Sequence, residues 1–456
     1  MSGIIGLYTE EEKNISKKIY YGLYALQHRG QEGTGMAVNN NGFVDYTKEF
    51  GLVHEAYNNE TLDRLRGNIG IGHVRSSDTI ENITANVEPL VIGYKKGALA
   101  LANDGNIVNA KEIRDELEDK GVIFQSNTDA EVIANLIARY HKDDIEEAII
   151  KALETIKGSY TLVLMTTDKL IGVRDPYGMK PLSIGRLGND YVLSSETCAF
   201  DTMGAKLVRD VEPGEMVVIN KESLKSMKFD DAKPKKMCLF EFIYFARPDS
   251  KIDGRSIYLA RREAGRILAK ESPADGDIVI SAPDSGTVAA IGYAESSGMP
   301  YDEGLIKNRY VGRTFIQPTQ ELREQGVKIK LNVLDENVKG KKVVLVDDSI
   351  VRGTTVKQTV KMIKDAGAKE VHVRISSPPV KYPCFFGLDT SKRKQLIASE
   401  KSVEEIREII GADSLAFLSL EGLIKGAGND DVFCTGCFNN IYPMNIKEGE
   451  RNEANL

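Results

Sequence analysis

The densest chemistry in the chain lies in one thirteen-residue run, Val343-Val344-Leu345-Val346-Asp347-Asp348-Ser349-Ile350-Val351-Arg352-Gly353-Thr354-Thr355. Four apolar residues predict a buried strand, two carboxylates stand at its end, and a short loop rich in hydroxyls leads into a helical pattern. Such a loop can wrap a phosphate with backbone N–H groups, and the N-terminus of the following helix adds positive potential. Asp347 and Asp348 cannot take that phosphate themselves; they suit sugar hydroxyls or a divalent cation. A lone Gly-Thr-Thr would be an ordinary capped turn. The strand, the acid pair and the loop together are far more specific. A second loop, Ala282-Pro283-Asp284-Ser285-Gly286-Thr287, follows another predicted strand. Between the two loops Lys307, Arg309, Arg313, Arg323, Lys328 and Lys330 form a basic run. Alone it would be a solvated face; beside a phosphate-binding loop it has a possible ligand.

Five cysteines in 456 residues do not make a disulfide framework. Cys198 reads as a buried thiol. Cys434 and Cys437 form a Cys-x-x-Cys pair, which can grip a metal only with partners from elsewhere in the chain; Cys238 and Cys384 stand alone in sequence.

The elements that must position these groups fall into two halves. In the first, 68–76 and 98–103 read as strands, 130–140 and 145–156 as helices, and 159–174 as a hairpin, which suggests α+β layers. The polar, lysine-rich stretch 221–236 reads as a linker. In the second half, strands at 277–282, 342–346 and 370–375 alternate with helices at 287–296 and 355–365. That is the βαβ pattern of a parallel sheet, whose ligands sit at the carboxyl ends of strands. Length suggests roughly two or three domains. With 60 basic against 67 acidic side chains the formal charge is −7, which argues against a general nucleic-acid binder. No apolar run reaches the ~18–20 residues of a membrane span, and the first residues lack the basic region of a secretory signal, so a cytoplasmic location is expected.

The thirteen-residue run resembles the phosphoribosyl diphosphate (PRPP) signature of type I phosphoribosyltransferases. With Phe240-Glu241-Phe242-Ile243-Tyr244-Phe245-Ala246-Arg247-Pro248-Asp249-Ser250, and closest of all from Pro283 through Thr355, nearly the whole chain resembles the glutamine phosphoribosyldiphosphate amidotransferases. The resemblance implies an α/β fold: an N-terminal-nucleophile αββα sandwich over residues 2–233, then a type I phosphoribosyltransferase parallel α/β domain with a C-terminal extension over 234–456. It implies formation of 5-phosphoribosylamine from PRPP with nitrogen from glutamine or ammonia, the first step of de novo purine biosynthesis. In that reading Asp347, Asp348, Ser349, Arg352, Gly353, Thr354, Thr355, Lys307 and Arg309 bind PRPP, and Ser285, Asp347 and Asp348 meet Mg²⁺. It also implies a [4Fe-4S] cluster on Cys238, Cys384, Cys434 and Cys437, although zinc would accept the same four ligands. Inhibition by purine nucleotides and a homo-oligomer, dimer or tetramer, are implied too, with no nucleic-acid or membrane partner.

The glutamine half departs from the family. Removal of Met1 would expose Ser2 where the family has a cysteine, a far stronger nucleophile. The family's Gly-His-x-Arg-Tyr-Ser-Thr reads here Gly72-His73-Val74-Arg75-Ser76-Ser77-Asp78, and its oxyanion string His-Asn-Gly-Asn reads Asn103-Asp104-Gly105-Asn106. An ionised Asp104 would repel the charge that an Asn side chain stabilises. Arg75 and Asp129 still match the residues that clamp the carboxylate and ammonium of glutamine, and the turn Arg29-Gly30-Gln31-Glu32 is family-like. His73 reads as a packed or hydrogen-bonded histidine. The expectation is a phosphoribosyltransferase with a silent glutaminase; the alternatives are a catalytically silent PRPP- or nucleotide-binding regulatory paralogue and, less consistent with Asp104, an N-terminal-serine amidohydrolase.

Overall fold

A computed structural model describes residues 2–76, 84–308, 310, 331–388, 390, 392–428 and 431–446 of the chain. Its first part stacks two antiparallel sheets. The seven-stranded sheet runs Lys206–Asp210, Ser183–Leu187, Asp190–Ser194, Ser2–Lys13, Gly67–Arg75, Gly33–Asn40 and Phe43–Phe50 in spatial order. The six-stranded sheet runs Leu224–Lys228, Glu215–Ile219, Leu170–Arg174, Gly158–Met165, Gly97–Ile107 and Leu90–Tyr94. Alternation along the strands sends Ile4, Ile71, Ala100, Ala102 and Val163 into the space between the sheets. The opposite faces are covered by helices: Ile15–Ala25 and Cys198–Met203 on the first sheet, Asp129–Tyr140 and Ile145–Thr155 on the second. Helix Asp129–Tyr140 turns Val132, Ile133, Leu136 and Ile137 inward, the spacing expected of one buried stripe. The result is the αββα sandwich.

The stretch read as a linker is only partly one. Leu224–Lys228 is an edge strand paired with Glu215–Ile219. It looked like a linker because an edge strand pairs on one side only and leaves its lysines in water, which also blunts the edge.

The second part carries a parallel sheet ordered Ile278–Ser281, Lys342–Asp347, Glu370–Ile375, Ser414–Phe417. Helices Ile257–Glu271 and Thr287–Ser297 cover one face, and Thr354–Asp365 and Val403–Ile410 the other. Within strand Lys342–Asp347 the stretch Val343–Val346 is buried and apolar because both faces of the sheet are covered. Residues 305–307 and 331–333 pair as short antiparallel strands at the two ends of the basic run; Arg309, Arg313, Arg323, Lys328 and Lys330 lie outside the described residues.

The two parts meet through buried charge. Arg29 of the first part places Nη1 and Nη2 on the Glu241 carboxylate at 2.9 and 3.0 Å, and Arg174 grips Asp253 at 2.8 and 3.0 Å. Glu196 accepts the Ser250 hydroxyl at 2.6 Å and the Arg247 N–H at 2.9 Å. Among the described residues no helix is long and apolar enough to cross a membrane.

Candidate active sites

The register of the parallel sheet fixes the first site. Ser281 stands beside Val346, so the loops leaving the two strands emerge side by side at their carboxyl ends. Gly286 lets them touch: a Cβ there would lie 2.5 Å from the Val346 carbonyl oxygen. Gly353 has φ 78°, a left-handed conformation that starts helix Thr354–Asp365 and points its first N–H groups across the loop. Ser285, Asp347, Asp348, Ser349, Gly353, Thr354 and Thr355 are thereby gathered at one end of the sheet. The Asp348 N–H donates to Asp347 Oδ1 at 2.8 Å, and the Ser349 hydroxyl donates to Asp348 Oδ2 at 2.6 Å. Burial and the neighbouring Asp348 together push Asp347 well above the carboxylate range. Lys307 joins the group through Asp284, Nζ to Oδ2 2.8 Å. Arg352 is exposed and donates to Gln395 at 2.7 Å, away from the acid pair.

The second site lies where Ser2, buried, begins the central strand of the seven-stranded sheet. Ser2 pairs in register with Arg75, and Ile4 with His73, so these four side chains share the face turned toward the six-stranded sheet. Asp104 meets them from that sheet, and each of its carboxylate oxygens accepts a hydrogen bond. Oδ1 accepts the Ser2 N–H at 2.8 Å, and Oδ2 accepts from Arg29 Nη2 at 3.1 Å. Burial alone would raise the Asp104 pKa; Arg29, Lys180 and the Ser2 N–H reverse that and hold it below its usual value, so it is an anion. Arg29 also donates Nε to the Ser2 carbonyl at 2.9 Å and pairs with Glu196 at 2.8 Å, while Lys180 lies 3.5 Å from Glu241. Gly105 follows Asp104, and residues 385–387 of the second part pack over it, with Asn106 donating to the Phe385 carbonyl at 3.0 Å. Asp129 heads its helix and accepts the Ile107 N–H at 2.7 Å; desolvation lifts it to about 6. Ser77 and Asp78 lie outside the described residues.

Sequence reasoning passed over Glu196, Lys180 and Glu88 as parts of this site. Glu241 lies within the segment Phe240–Ser250, where nothing in the local pattern sets it apart. Each is a single charge whose partner lies far away in the chain, so no local spacing points to it. His73 is 2% exposed, and among the described residues neither ring nitrogen has a hydrogen-bond partner.

Four of the five cysteines converge. Cys238 and Cys434 stand opposite each other in a two-stranded parallel pairing. The Cys437 carbonyl accepts the N–H groups of Lys381 and Tyr382, both at 3.0 Å, which brings the segment carrying Cys384 alongside. The Phe386 N–H donates to the Cys384 sulfur at 3.3 Å. Burial pushes the Cys238 thiol up to about 11, against the pull of Lys180, and raises Cys434 and Cys437 further; the thiols raise one another. Among the described residues no three His, Cys, Asp or Glu side chains close around a point as a single metal ion requires. Cys198 is buried against the first helix, apart from this group.

The chain matches the glutamine amidotransferase domain family over residues 73–202 and the phosphoribosyl transferase domain family over residues 260–377. It is 49% identical over 451 residues to the amidophosphoribosyltransferase of Archaeoglobus fulgidus, covering 98% of each chain. It is 50% identical over 450 residues to that of Bacillus subtilis, covering 97% of this chain and 94% of that one. Among solved structures it superposes on the B. subtilis glutamine PRPP amidotransferase complexed with ADP and GMP with a TM-score of 0.92, at 49% identity and 98% coverage of both chains. A structure described as the allosteric regulatory enzyme of purine biosynthesis gives 0.94 at 48% identity, covering 99% of this chain and 98% of that one.

Proposed function

Because the chain belongs to the amidophosphoribosyltransferase family, we propose that it makes its product with ammonia and that its glutaminase pocket is silent. The chain is a pentosyltransferase that forms 5-phosphoribosylamine from PRPP, the first step of de novo purine biosynthesis. The regulatory-paralogue reading has no support from relatives that are themselves enzymes at this identity.

In our reading the loop from Ser349 to Thr355 cradles the 5-phosphate with its N–H groups and hydroxyls. Asp347 and Asp348 hold the ribose hydroxyls. The loop of Ser285 meets the diphosphate, with Arg309 and Lys307 supplying positive charge once Lys307 leaves Asp284. The hard oxygen donors fit Mg²⁺; Ser285, Asp347 and Asp348 would hold it, and it would supply charge neutralisation for the diphosphate. Attack at the anomeric carbon then needs a neutral amine held out of bulk water.

The observation that carries the ammonia reading is the state of Asp104. Both of its oxygens accept hydrogen bonds, so the side chain offers no proton to a developing oxyanion and places a negative charge beside it. The same carboxylate sits 2.8 Å from the Ser2 nitrogen, which as a free α-amine would have to be neutral to act as base; Asp104 favours the ammonium form. The Gly105 N–H, Arg75 and Asp129 remain as the shell of a glutamine pocket without its working parts.

The four converging thiols fit an iron–sulfur cubane, a body larger than one ion that takes thiolates held farther apart. The Phe386 N–H and Lys180 are the kind of partners that stabilise sulfur charge. Cys238, Cys384, Cys434 and Cys437 would hold it, tying residues 431–446 to the start of the second domain, whose boundary with the first we put at 233/234. A cytoplasmic homo-oligomer, dimer or tetramer, inhibited by purine nucleotides completes the reading; the ADP and GMP bound to the B. subtilis relative support the nucleotides. The test is product formation from PRPP and Mg²⁺ with either nitrogen source: ammonium supports it and glutamine does not.

A further inference from the structure

The single turn Glu241–Phe245 is clamped from two sides. On one side Arg29, from the first part, forks onto the Glu241 carboxylate at 2.9 and 3.0 Å. On the other side Arg261, from helix Ile257–Glu271, holds two backbone carbonyls. Its Nε donates to Phe242 at 2.8 Å and its Nη2 to Ala246 at 2.7 Å. The chain just after the turn docks on the first part as well, where Arg247 Nη1 donates to the Ala25 carbonyl at 3.2 Å. Arg261 is 5% exposed, yet among the described residues no carboxylate lies within ion-pair distance of it. A buried guanidinium so placed is costly unless another charge offsets it. Burial pulls its pKa below the usual value, and the largest charge opposing that is Asp348, ahead of Glu196 and Glu241. The packing agrees. Arg261 and Ser376 line one small cavity, and the Ser376 N–H donates to the Asp347 carbonyl at 2.9 Å. Arg261 therefore stands against the residue that backs the acid pair.

We infer that Arg261 is a positioning residue of the phosphoribosyl transfer: it fixes a positive charge behind Asp347 and Asp348, and Arg29 of the first part holds the turn on which it rests. This rests on the reading that Asp347 and Asp348 hold PRPP. Two adjacent carboxylates repel each other, and a cation fixed behind them lowers the cost of aiming both at one sugar. Arginine suits the place because its charge is permanent and its planar fork can take two carbonyls at once. Being buried, Arg261 acts through the acid pair and not on the substrate. The arrangement gives the first part a use that survives the loss of glutamine chemistry. Through Arg29, Glu241 and the turn, it braces the transferase site from across the domain boundary.

The test is steady-state diphosphate release from PRPP by the full-length protein, with saturating ammonium and Mg²⁺. Arg261→Met should raise the KM for PRPP by about tenfold or more and leave kcat within about threefold. Arg261→Lys keeps the charge and loses the fork, and should raise that KM only about threefold. A merely structural role would shrink the active fraction, lowering kcat with KM unchanged. That result, or a KM for Arg261→Met within about twofold of wild type, overturns the proposal. Arg29→Lys keeps its charge, loses its fork on Glu241, and should also raise the KM for PRPP, by roughly threefold. Arg29 and Arg261 hold different groups of the turn, so independent effects would multiply. If the turn joins them, Arg29→Lys adds less than about twofold in the Arg261→Met background; full multiplication overturns the link. Should Arg261→Met fail to fold, Arg261→Lys takes its place in the same comparison. Equilibrium binding of PRPP with Mg²⁺ repeats the series without a nitrogen donor. A wild type that binds PRPP but stays inactive with ammonium would sink the ammonia reading and leave this one decided, whereas a wild type that binds no PRPP would sink both.

Discussion

Restoring the glutaminase is the sharpest use of the Asp104 geometry. The perturbation is the pair Ser2→Cys and Asp104→Asn, made singly and together. Asn at 104 turns an acceptor-only group into one with an N–H donor, and one oxyanion donor is worth ~10²–10³ in rate, roughly 3–4 kcal/mol. A second effect has the same sign. A unit charge 2.8 Å from the Ser2 nitrogen amounts to about 6 kcal/mol at an effective dielectric of 20 before Arg29 and Lys180 offset it. A quarter of that is one pKa unit on a terminal amine, enough to keep it protonated at neutral pH. The fold should tolerate the change, because Arg29 keeps its two bonds to Glu241 and its pair with Glu196. The assay is glutamate release in the presence of PRPP and Mg²⁺, normalised to the ammonium-dependent rate of the same preparation. The double variant should exceed Ser2→Cys by at least ~10². If Ser2→Cys alone hydrolyses glutamine and Asp104→Asn adds less than about threefold, the carboxylate is not the block and the reasoning fails.

Three further outcomes follow from the same structure. Glu88 has a folded pKa of about 8 against an ordinary 4.5, so the folded state binds the extra proton and stability falls as pH rises through that window, by ~1.4 kcal/mol per pH unit at most. Glu88→Gln keeps an acceptor for the Asn103 N–H and should be more stable than wild type above about pH 5, by a few kcal/mol near pH 8; equal urea midpoints at pH 5 and pH 8 for both proteins would refute this. Cys434→Ser should abolish the iron and acid-labile sulfide of anaerobically purified protein, and wild type should carry about four of each per chain; one zinc and no sulfide in wild type would remove the cluster from the account. Asp348→Asn should lower kcat/KM for PRPP roughly 10–100-fold, the value of a charged hydrogen bond in a shielded site, and a change under twofold would move the ribose contacts elsewhere.

What was legible in the sequence and what was not divides by distance along the chain. The PRPP loop announces itself because Asp347 through Thr355 are contiguous and one strand and one helix position them all. The Cys434–Cys437 pair was visible for the same reason, and its partners came only from resemblance. The charge cluster under Ser2 was silent: Arg29 and Glu241 are 212 residues apart, and neither has a local pattern that distinguishes it from a surface charge. Glu88, in the loop before strand Leu90–Tyr94, meets His73 only through the fold, which no strand pattern reports. The strand at 224–228 was misread because its one-sided pairing permits a polar composition. The departure at Asp104 was readable as a substitution, but its consequence depends on Arg29 and the Ser2 nitrogen, which the fold alone brings to it.

The central claim is an active phosphoribosyltransferase beside a silent glutaminase, and diphosphate release from PRPP and Mg²⁺ tests it most directly, with ammonium chloride in one reaction and glutamine in the other. The account predicts release with ammonium and a rate with glutamine no higher than the no-donor background. Equal release with both would show that Ser2 is a working nucleophile despite Asp104, and would contradict it.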